Sequence, residues 1–528
     1  DMKFINRLFC MAAVASALIP VSCVESTEMG FDEVEKIALQ SWMEINRPDL
    51  LDNFQPSGEY YVELLDEGAA DSLPVRHDNA WLWFNVTCRD LAGNVVLTRN
   101  SELARLQNSY TDHTHYTPFF LYCGENNTSM LEGTYMDIRN KLKIGDKEYS
   151  VRYGTKMRLY LPSSIAAGSG GMGGDGGYEG QYRLDANRPT IVDVEVWCHV
   201  NNPLAYEDQW VKSFAEANGG LAPEKKDEEA AAKRRSFKRS ATRADEEAEK
   251  PVYDDKWHLA VDSIAALYIN YLYTPERGLN FDCIGRDTMM FDGQTDYRYG
   301  KIYGTKGLAQ INKEIDEALL ERFGKGLDPA DADPLDSVST AKIWYVARLL
   351  DGFVVDSNIP EVKKIIYEDV KDDDEGTALS FVTEKDSPDN DYVDAWLYAI
   401  PQMKLGAWNV ILSSSSNVYG AVGRSGTKST SSSGGFNYYD YLNYYNYFNS
   451  YYGNNYYNGY YNDYYGGYGG YGGYGGFYNN YMYSPYYNGY NTGTDTDDTE
   501  TTTTVTTEVL PYTPLLWQVF IEAKSEDE

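Results

Sequence analysis

The spacing of apolar residues predicts a helix near the start of the chain. Phe31, Val34, Ala38 and Trp42 recur every three or four residues, which places them on one face of a helix. Two acidic residues follow Phe31 directly, as is common in a first helical turn, and Pro48 marks the end of the pattern. We therefore expect an amphipathic helix that ends before Pro48.

Alternation of apolar and polar residues predicts antiparallel strands from Gly58 onwards. Tyr60, Val62 and Leu64 lie on one face of the first strand, because side chains in a strand alternate between its two faces. Further strands are expected at 81–89, 94–98, 151–161 and 190–197. Short turns between them make an antiparallel sheet the expected core of this region.

Two stretches of the chain share one order of elements. Residues 157–168 (MRLYLPSSIAAG) and 403–423 (MKLGAWNVILSSSSNVYGAVG) both run from an apolar strand through a serine-rich turn to a tip of small residues. Each opens into a low-complexity loop and returns through an apolar strand, at 189–197 or 511–521. The shared order predicts a duplicated unit.

The second unit has its own predicted elements. Strands are expected at 342–349 and 353–355 around an Asp-Gly turn, and a short helix at 393–402. Before them, apolar residues at every fourth position from Ile311 to Phe323 predict a helix, which we expect to bridge the two units.

Three segments lack the apolar periodicity of a core. Residues 168–180 are glycine-rich and match G-x-G-x-x-G, but more glycine follows and no helix can start, so a surface loop is expected rather than a dinucleotide site. Residues 216–250 are dense in Glu, Lys, Ala and Arg, which is typical of a linker. Residues 424–508, rich in Ser, then Tyr, Asn and Gly, then Asp and Thr, are expected to form a long disordered loop.

Composition indicates more than one folded core, and net charge argues against nucleic-acid binding. The 528 residues are 42% hydrophobic and 14% aromatic, enough for more than one core. The 46 Lys and Arg residues stand against 80 Asp and Glu residues, a net charge of −34. This excess repels phosphate backbones, so we expect no nucleic-acid binding.

The first residues have the pattern of a secretory signal. Lys3 and Arg7 precede an apolar run at 8–20 that ends in Val-Ser-Cys, which predicts a signal peptide at 1–22. A cysteine after a small residue at this point resembles a bacterial lipoprotein processing site, which implies lipid attachment at Cys23 and a place in the cell envelope, at the outer membrane. The alternative is simple secretion with a free Cys23.

Four motifs of the second unit together resemble a known family. They are WYVARLLDGFVVDSN, VDAWLYAIPQMKLG, SSSSNVYGAVG and LPYTPLLWQVFI. Their order and spacing resemble the FKBP-type peptidyl-prolyl cis-trans isomerases. The resemblance implies catalytic-site roles for Tyr345, for Asp356, which orients that tyrosine, for Trp396 as the pocket floor, and for Tyr419 as the hydrogen-bond donor to a bound peptide.

The same resemblance implies substrate-binding residues around these four. The backbone N–H of Val393 stands where the family holds a ligand carbonyl, and Trp517 replaces the family's usual phenylalanine. Val355 replaces a phenylalanine before the aspartate, and Phe381 is a further wall residue. The 424–508 insertion falls in the loop that overhangs the family's site.

The first unit fits the same scheme without the pocket. Val86 and Leu97 occupy the tyrosine and aspartate positions, Ala167 stands where the second unit has Tyr419, and Tyr135 is a stand-in for the tryptophan. We expect this degenerate unit to have a structural or binding role.

The expected fold is therefore α+β, with two FKBP-like domains, each an antiparallel sheet wrapped on a short helix, plus linker helices and the long loop. The predicted boundaries are 1–22 signal peptide, 23–57 anchor and helix, 58–201 first domain, 202–252 charged linker, 253–330 bridging segment, and 331–528 second domain with the 424–508 insertion.

Two functions remain open. The first is a lipid-anchored envelope prolyl isomerase or chaperone that acts on proline-containing exported polypeptides without cofactor or metal; His113 and His115 lack a third ligand, and the other mature cysteines lack C-x-x-C spacing. The alternative is a non-catalytic interaction lipoprotein, such as an accessory subunit of an outer-membrane assembly or transport complex.

Overall fold

A computed structural model of the chain contains two seven-stranded antiparallel sheets, one in each half of the sequence. It describes residues 30–72, 74, 81–122, 134, 137–138, 141–166, 171–173, 182–200, 202–223, 253–261, 264–283, 308–367, 370, 375–384, 387, 390–421, 423–424, 427–430 and 503–524. None of the helices in these ranges has the length and apolar character needed to cross a membrane.

The first unit begins with the predicted amphipathic helix, which ends one residue before Arg47. Its elements are α1 Phe31–Asn46, a 3-10 turn Pro48–Asn53, β1 Phe54–Gln55, β2 Tyr60–Glu67, β3 Trp81–Arg89, β4 Val95–Thr98, α2 Ser101–Leu106, β5 Phe119–Tyr122, β6 Leu142–Ile144, β7 Lys147–Tyr149, β8 Thr155–Leu161, a 3-10 turn Ser163–Ile165, β9 Met172–Gly173, β10 Arg183–Leu184 and β11 Thr190–Val200. The sheet order is β1-β2-β8-β11-β3-β4, with β5 also paired to β3.

The second unit repeats this arrangement. Its elements are α3 Pro203–Ala217, β12 His258–Leu259, β13 Leu267–Asn270, a 3-10 turn Phe281–Cys283, α4 Leu308–Phe323, a 3-10 turn Leu335–Ser337, β14 Thr340–Leu349, β15 Val354–Ser357, α5 Pro360–Ile366, β16 Leu379–Val382, α6 Asp394–Ala399, a 3-10 turn Ile400–Gln402, β17 Trp408–Ser413, a 3-10 turn Ser415–Asn417, β18 Thr427–Thr430, β19 Thr503–Thr506 and β20 Leu515–Ile521. The sheet order is β12-β13-β17-β20-β14-β15, with β16 also paired to β14.

The two sheets have the same topology, strand for strand. A register shift also recurs: it lies between Cys88 and Arg89 where β3 pairs with β4, and between Ala347 and Arg348 where β14 pairs with β15. Such bulges bend a strand and are fixed features of a fold. The predicted duplication is confirmed.

A buried glutamate carboxyl group links each sheet to the helix that precedes it. Glu35 in α1 accepts hydrogen bonds from the backbone N–H and the hydroxyl of Ser163. Glu207, at the same position of α3, accepts the same two bonds from Ser415, at 3.1 and 2.9 Å. The N–H groups that open a helical turn lack internal partners, and each glutamate satisfies one of them inside the protein.

The second unit starts earlier in the chain than the sequence indicates. Residues 203–217, which we expected in the charged linker, form α3, and its Val211, Phe214 and Ala215 are buried in the core of the second unit. Residues 258–270, expected in the bridging segment, supply β12 and β13. The charged composition of α3 concealed its apolar stripe.

The helix predicted from Ile311 to Phe323 is present as α4, but it does not bridge the units. Its Ile311, Ile315 and Leu319 are fully buried in the core of the second unit. Phe323 packs its ring against Trp344 at 5.6 Å, among other aromatic contacts on the face of the second sheet. The predicted short helix is also present, as α6 and the 3-10 turn after it.

Parts of the 424–508 insertion are ordered, contrary to the expectation of a disordered loop throughout. β18 and β19, near its two ends, pair as an antiparallel ribbon, and Arg424 pairs with Val509 in an isolated bridge. The stretch between β18 and β19 lies outside the described residues.

The buried Glu207 carboxyl makes the stability of the second unit depend on pH. Burial raises its pKa from 4.5 to about 8, while the Ser415 hydrogen bonds lower it. The native state then holds a proton that the unfolded state releases, so stability falls as pH rises from about 4.5 towards 8, by at most about 1.4 kcal/mol per pH unit.

Chemical denaturation at about pH 5 and about pH 9 tests whether the native state keeps a proton on Glu207. Glu207→Gln keeps an acceptor for Ser415 but cannot ionise, so we expect it to gain stability relative to the wild type as pH rises. Glu216→Gln, an exposed change on the same helix, should follow the wild type. A difference between wild type and Glu207→Gln that is constant with pH would contradict the prediction.

Candidate functional site

The aromatic residues predicted for the pocket meet on one face of the second sheet. Tyr345 lies on β14 and Trp517 on the neighbouring β20, where Trp517 pairs with Ala347. Trp396, from α6, packs edge-to-face on both: its ring centroid lies 5.3 Å from that of Tyr345 and 6.4 Å from that of Trp517. The three rings form a continuous aromatic wall under α6, at separations typical of favourable ring pairs.

A fourth aromatic extends this wall, and the motifs did not indicate it. Tyr392 lies 5.7 Å from Trp396 and stacks on Phe381 at 5.8 Å, ring centroid to ring centroid. It stands four residues before Trp396, a spacing that offered a signal. Val393 directly precedes α6, and its carbonyl accepts the Trp396 N–H at 2.9 Å, so the backbone at Val393 lies at the start of the helix.

The polar part of the site lies on the β14–β15 hairpin. The Tyr345 hydroxyl donates to Asp356 Oδ2 at 3.2 Å, the contact that the resemblance implied. The backbone N–H of Tyr345 donates to Asn358 Oδ1 at 2.8 Å, and the Ser357 hydroxyl donates to the Tyr345 carbonyl at 2.8 Å. Side-chain bonds at this end of the hairpin therefore fix the Tyr345 ring.

Tyr419 reaches the site from the 3-10 turn that Glu207 supports. Its neighbour Gly420 donates its N–H to the Ser415 carbonyl at 2.7 Å and accepts from the Tyr512 N–H at 2.9 Å. Burial raises the pKa of the Tyr419 hydroxyl, so the hydroxyl keeps its proton at neutral pH and can donate.

Arg424 is a site residue that sequence reasoning missed, because it falls in the segment assigned to the loop. Its Nη1 lies 3.4 Å from the Tyr419 hydroxyl oxygen and 3.8 Å from Asp356 Oδ2. Its Nη2 donates to the Val355 carbonyl at 3.4 Å. The guanidinium group thus lies between the two polar groups of the predicted pocket.

The candidate site is closed in this conformation. Trp396 has no exposed surface, and Tyr345, Trp517, Val355 and Phe381 are each at most 3% exposed. A proline ring can reach Trp396 only after some of the covering residues move.

The first unit has aliphatic side chains at the equivalent positions. Cys88 pairs with Leu97 as Ala347 pairs with Asp356, so the strand register confirms that Leu97 corresponds to Asp356, and Val86 to Tyr345. By the same register, Val192, which pairs with Cys88, corresponds to Trp517. These three aliphatic residues are buried in one core cluster. Tyr135 and Ala167, like Cys23, lie outside the described residues.

His113 and His115 of the first unit face the second unit. His115 Nε2 lies 2.7 Å from Asp351 Oδ2, and the ring of His113 stacks on Tyr367 at 4.0 Å. Within the part of the chain that the structure describes, no three His, Cys, Asp or Glu side chains are grouped so as to hold a metal ion.

Comparison with known proteins gives distant likenesses. No protein-family model and no curated protein matches the chain. A peptidyl-prolyl cis-trans isomerase from Pseudomonas syringae pv. tomato is similar at 17% identity, over 32% of this chain and 94% of that chain, with a TM-score of 0.21. The three FKBP domains of wheat FKBP73 are similar at 9% identity, over 89% of this chain and 95% of that chain, with a TM-score of 0.18.

AtFKBP13 is similar at 16% identity, over 28% of this chain and 98% of that chain, with a TM-score of 0.19. At TM-scores this low, the likenesses are no basis for a function.

The burial of Trp396 sets how it can be tested. Trp396→Ala should lower the free energy of unfolding by roughly 3–5 kcal/mol, because it removes a fully buried indole that contacts three rings. Trp396→Phe keeps a ring and should cost less. Leu106→Ala, at a side chain that is 84% exposed, should change stability by less than about 0.5 kcal/mol. Chemical denaturation measures all three, and a loss below about 1 kcal/mol for Trp396→Ala would show that the indole is not packed as described.

Proposed function

We propose that the second unit is an FKBP-like domain that binds X-Pro segments of exported polypeptides and catalyses their cis-trans isomerisation. One observation carries the proposal: of the residues identified from family motifs spread over 75 residues of sequence, Tyr345, Asp356 and Trp396 meet on one face of one sheet, with the tyrosine–aspartate contact in place. Tyr419 and Asp356 both lie beside the guanidinium group of Arg424. The first unit shares the topology of the second, which supports an FKBP-like fold for both.

The proposed chemistry needs no nucleophile, metal or cofactor. Resonance in the amide sets a barrier of about 18–20 kcal/mol to rotation of the C–N bond. The planar amide is more polar than the twisted transition state, so a dry aromatic wall disfavours the planar form relative to the twisted one. Trp396, Trp517 and Tyr345 supply that wall in the proposal.

Two donors hold the flanking carbonyls in this mechanism. The Tyr419 hydroxyl keeps its proton and donates to one carbonyl, and the Val393 N–H donates to the other. Asp356 acts on Tyr345 rather than on the substrate, since it fixes the ring through the Tyr345 hydroxyl. A hydrogen bond made better in the twisted state lowers the barrier, whereas one made equally well in both states affects binding only.

The first unit has no such role in the proposal. Val86, Leu97 and Val192 fill the equivalent space with aliphatic side chains, which offer no hydrogen bond and no aromatic wall to a prolyl peptide. We propose that it holds the second unit and contributes a surface to partners in the envelope.

We further propose that Cys23 carries lipid and anchors the protein in the bacterial envelope, at the outer membrane. The charged and apolar pattern of 1–22 supports this proposal. In a Gram-negative host, the wild-type chain should incorporate labelled palmitate and sediment with membranes. Cys23→Ser should do neither, while Cys10→Ser, inside the apolar run, should behave as wild type. Membrane attachment of Cys23→Ser equal to that of the wild type would contradict the anchor.

One observation favours the alternative, a non-catalytic interaction lipoprotein: Trp396 is fully buried, so the pocket is closed. In that alternative the second unit keeps the aromatic wall as a core and binds partners by its surface, for example within an outer-membrane assembly or transport complex.

A prolyl-peptide isomerisation assay on the full chain separates the two. We expect the wild type to accelerate exchange, and Tyr419→Phe to lower kcat/KM about tenfold, the effect of losing roughly 1.4 kcal/mol of hydrogen bonding. Trp396→Phe should lower it as well, with little loss of fold.

Trp408→Phe is the matched control for this assay. Trp408 is also a buried indole, but it packs against Phe323 and donates to the Gly324 carbonyl, on the α4 side of the same sheet. Its kcat/KM should stay within about twofold of wild type. Exchange at the rate of buffer with every variant, the wild type included, would favour the interaction protein.

A further inference from the structure

We propose that Arg424 is a built-in occupant of the candidate prolyl site, that the first unit holds it there, and that the chain is therefore autoinhibited until Arg424 withdraws. The inference rests on the proposed function of the second unit. It assigns the degenerate first unit a regulatory contact with the site of the second.

The guanidinium group of Arg424 fills the space beside the Tyr419 hydroxyl. It lies between the Tyr419 hydroxyl and the Asp356 carboxylate, at 3.4 and 3.8 Å, and over the Tyr419 ring at 5.4 Å. The Arg424 side chain is 13% exposed. A peptide carbonyl that approaches Tyr419 has to enter the space that the guanidinium fills.

Backbone and side-chain hydrogen bonds to residues 507–509 hold Arg424 in this position. Its backbone N–H and carbonyl both bond to Val509 at 2.7 Å, and its Nη2 donates to the Thr507 carbonyl at 2.9 Å. Gly423 has a φ of +73°, and a Cβ there would collide with the Val509 carbonyl, so the close approach requires glycine. Arg424 therefore moves with residues 507–509.

Residues 507–509 are in turn held by the first unit. Arg99 donates to both carboxylate oxygens of Glu508, at 2.9 and 2.8 Å, and its side chain is only 3% exposed. His113 Nδ1 lies 3.4 Å from the Thr507 hydroxyl, and its ring stacks on Tyr367, whose hydroxyl also lies 3.4 Å from the Thr507 hydroxyl. A bidentate, nearly buried ion pair is a strong and directional contact.

These contacts form one connected path from the first unit to the pocket. Arg99 fixes Glu508, the backbone on either side of Glu508 fixes Arg424, and Arg424 occupies the space at Tyr419. A contact that stabilises only the closed form reduces the fraction of molecules that are open. The apparent affinity for peptide falls in proportion to that open fraction. Loss of Arg424, or of the Arg99 contact, should therefore raise peptide affinity.

The test measures peptide binding and turnover separately, on the full chain. The probe is a labelled tetrapeptide with a central Leu-Pro bond, with binding followed by fluorescence anisotropy and exchange followed by NMR. We expect Arg424→Ala to bind at least tenfold more tightly than the wild type, Arg424→Lys to be intermediate because it lacks the planar fork, and Arg99→Ala to bind several-fold more tightly.

Arg322→Ala is the matched control. Arg322 is an arginine of the same unit that pairs with Glu361 and lies over Trp344, on α4 and away from the site. It should bind peptide as the wild type does. Thermal unfolding identifies any variant that fails to fold, and Arg424→Lys then replaces Arg424→Ala in the comparison.

The outcomes separate this inference from the proposed function. Tighter binding by Arg424→Ala without turnover in any variant would support the closed state and remove the isomerase. Turnover with equal affinity in wild type, Arg424→Ala and Arg99→Ala would support the isomerase and overturn autoinhibition. No binding by any variant would also overturn it, because Arg424 would then not be what closes the site.

Discussion

The architecture of each unit depends on one glutamate carboxyl group that is removed from water. Glu35 and Glu207 each accept two hydrogen bonds from a serine at the start of a 3-10 turn, and each stands on the helix that opens its unit. A buried polar group is costly unless it is hydrogen-bonded, and this holds both for the carboxyl group and for the unpaired N–H groups of the turn, so each compensates for the other. In the second unit this turn delivers Tyr419. The geometry of the candidate site therefore depends on a residue from outside the sheet.

The closed site and the contact between the units both depend on the segment between β19 and β20. Residues 507–509 contact Arg424 on one side and Arg99 on the other, and Tyr512, a few residues later, packs on Trp81 at 5.0 Å. One short segment is thus shared by the edge of the pocket and the surface of the first unit. An insertion at this place can alter access to the pocket without changing the aromatic wall.

Much of the second sheet could be predicted from its strand and turn pattern, because a strand period of two fixes which residues share a face. The aromatic wall was predicted from the resemblance of its motifs to a known family, since periodicity alone does not bring Trp396 of α6 against the sheet. Once β14 and β15 were recognised as a hairpin, Tyr345 and Asp356 had to lie near each other. Elsewhere, composition was a poor guide to which residues are buried. α3 contains Glu207 and Asp208, both nearly inaccessible, so counting charges indicated a linker where a core helix lies. Arg424 was missed for a related reason, since low complexity begins beside it.

A signal for α3 was nevertheless present. The sequence of α1, FDEVEKIALQSWMEIN, and that of α3 with the residue after it, PLAYEDQWVKSFAEAN, share Glu, Ser, Glu and Asn at the same positions. The shared asparagines even make the same contact, from Nδ2 to the carbonyl four residues earlier, at 2.9 Å in both helices. A repeat search over helices, rather than over strands alone, would have placed the start of the second unit correctly.

Helix α3 contacts both units, because it follows the first sheet directly and its two sides pack on different cores. Tyr206 and Trp210 of α3 pack on Trp83 of the first sheet, at 6.0 and 5.6 Å, while Val211 and Phe214 on its other side enter the second core. The equivalent positions in α1 are Val34, which is 49% exposed, and Ala38. Through Tyr206 and Trp210, α3 therefore packs on both sheets, whereas α1 packs on one. Because that helix also carries Glu207, it contacts both sheets and hydrogen-bonds the turn that leads to Tyr419.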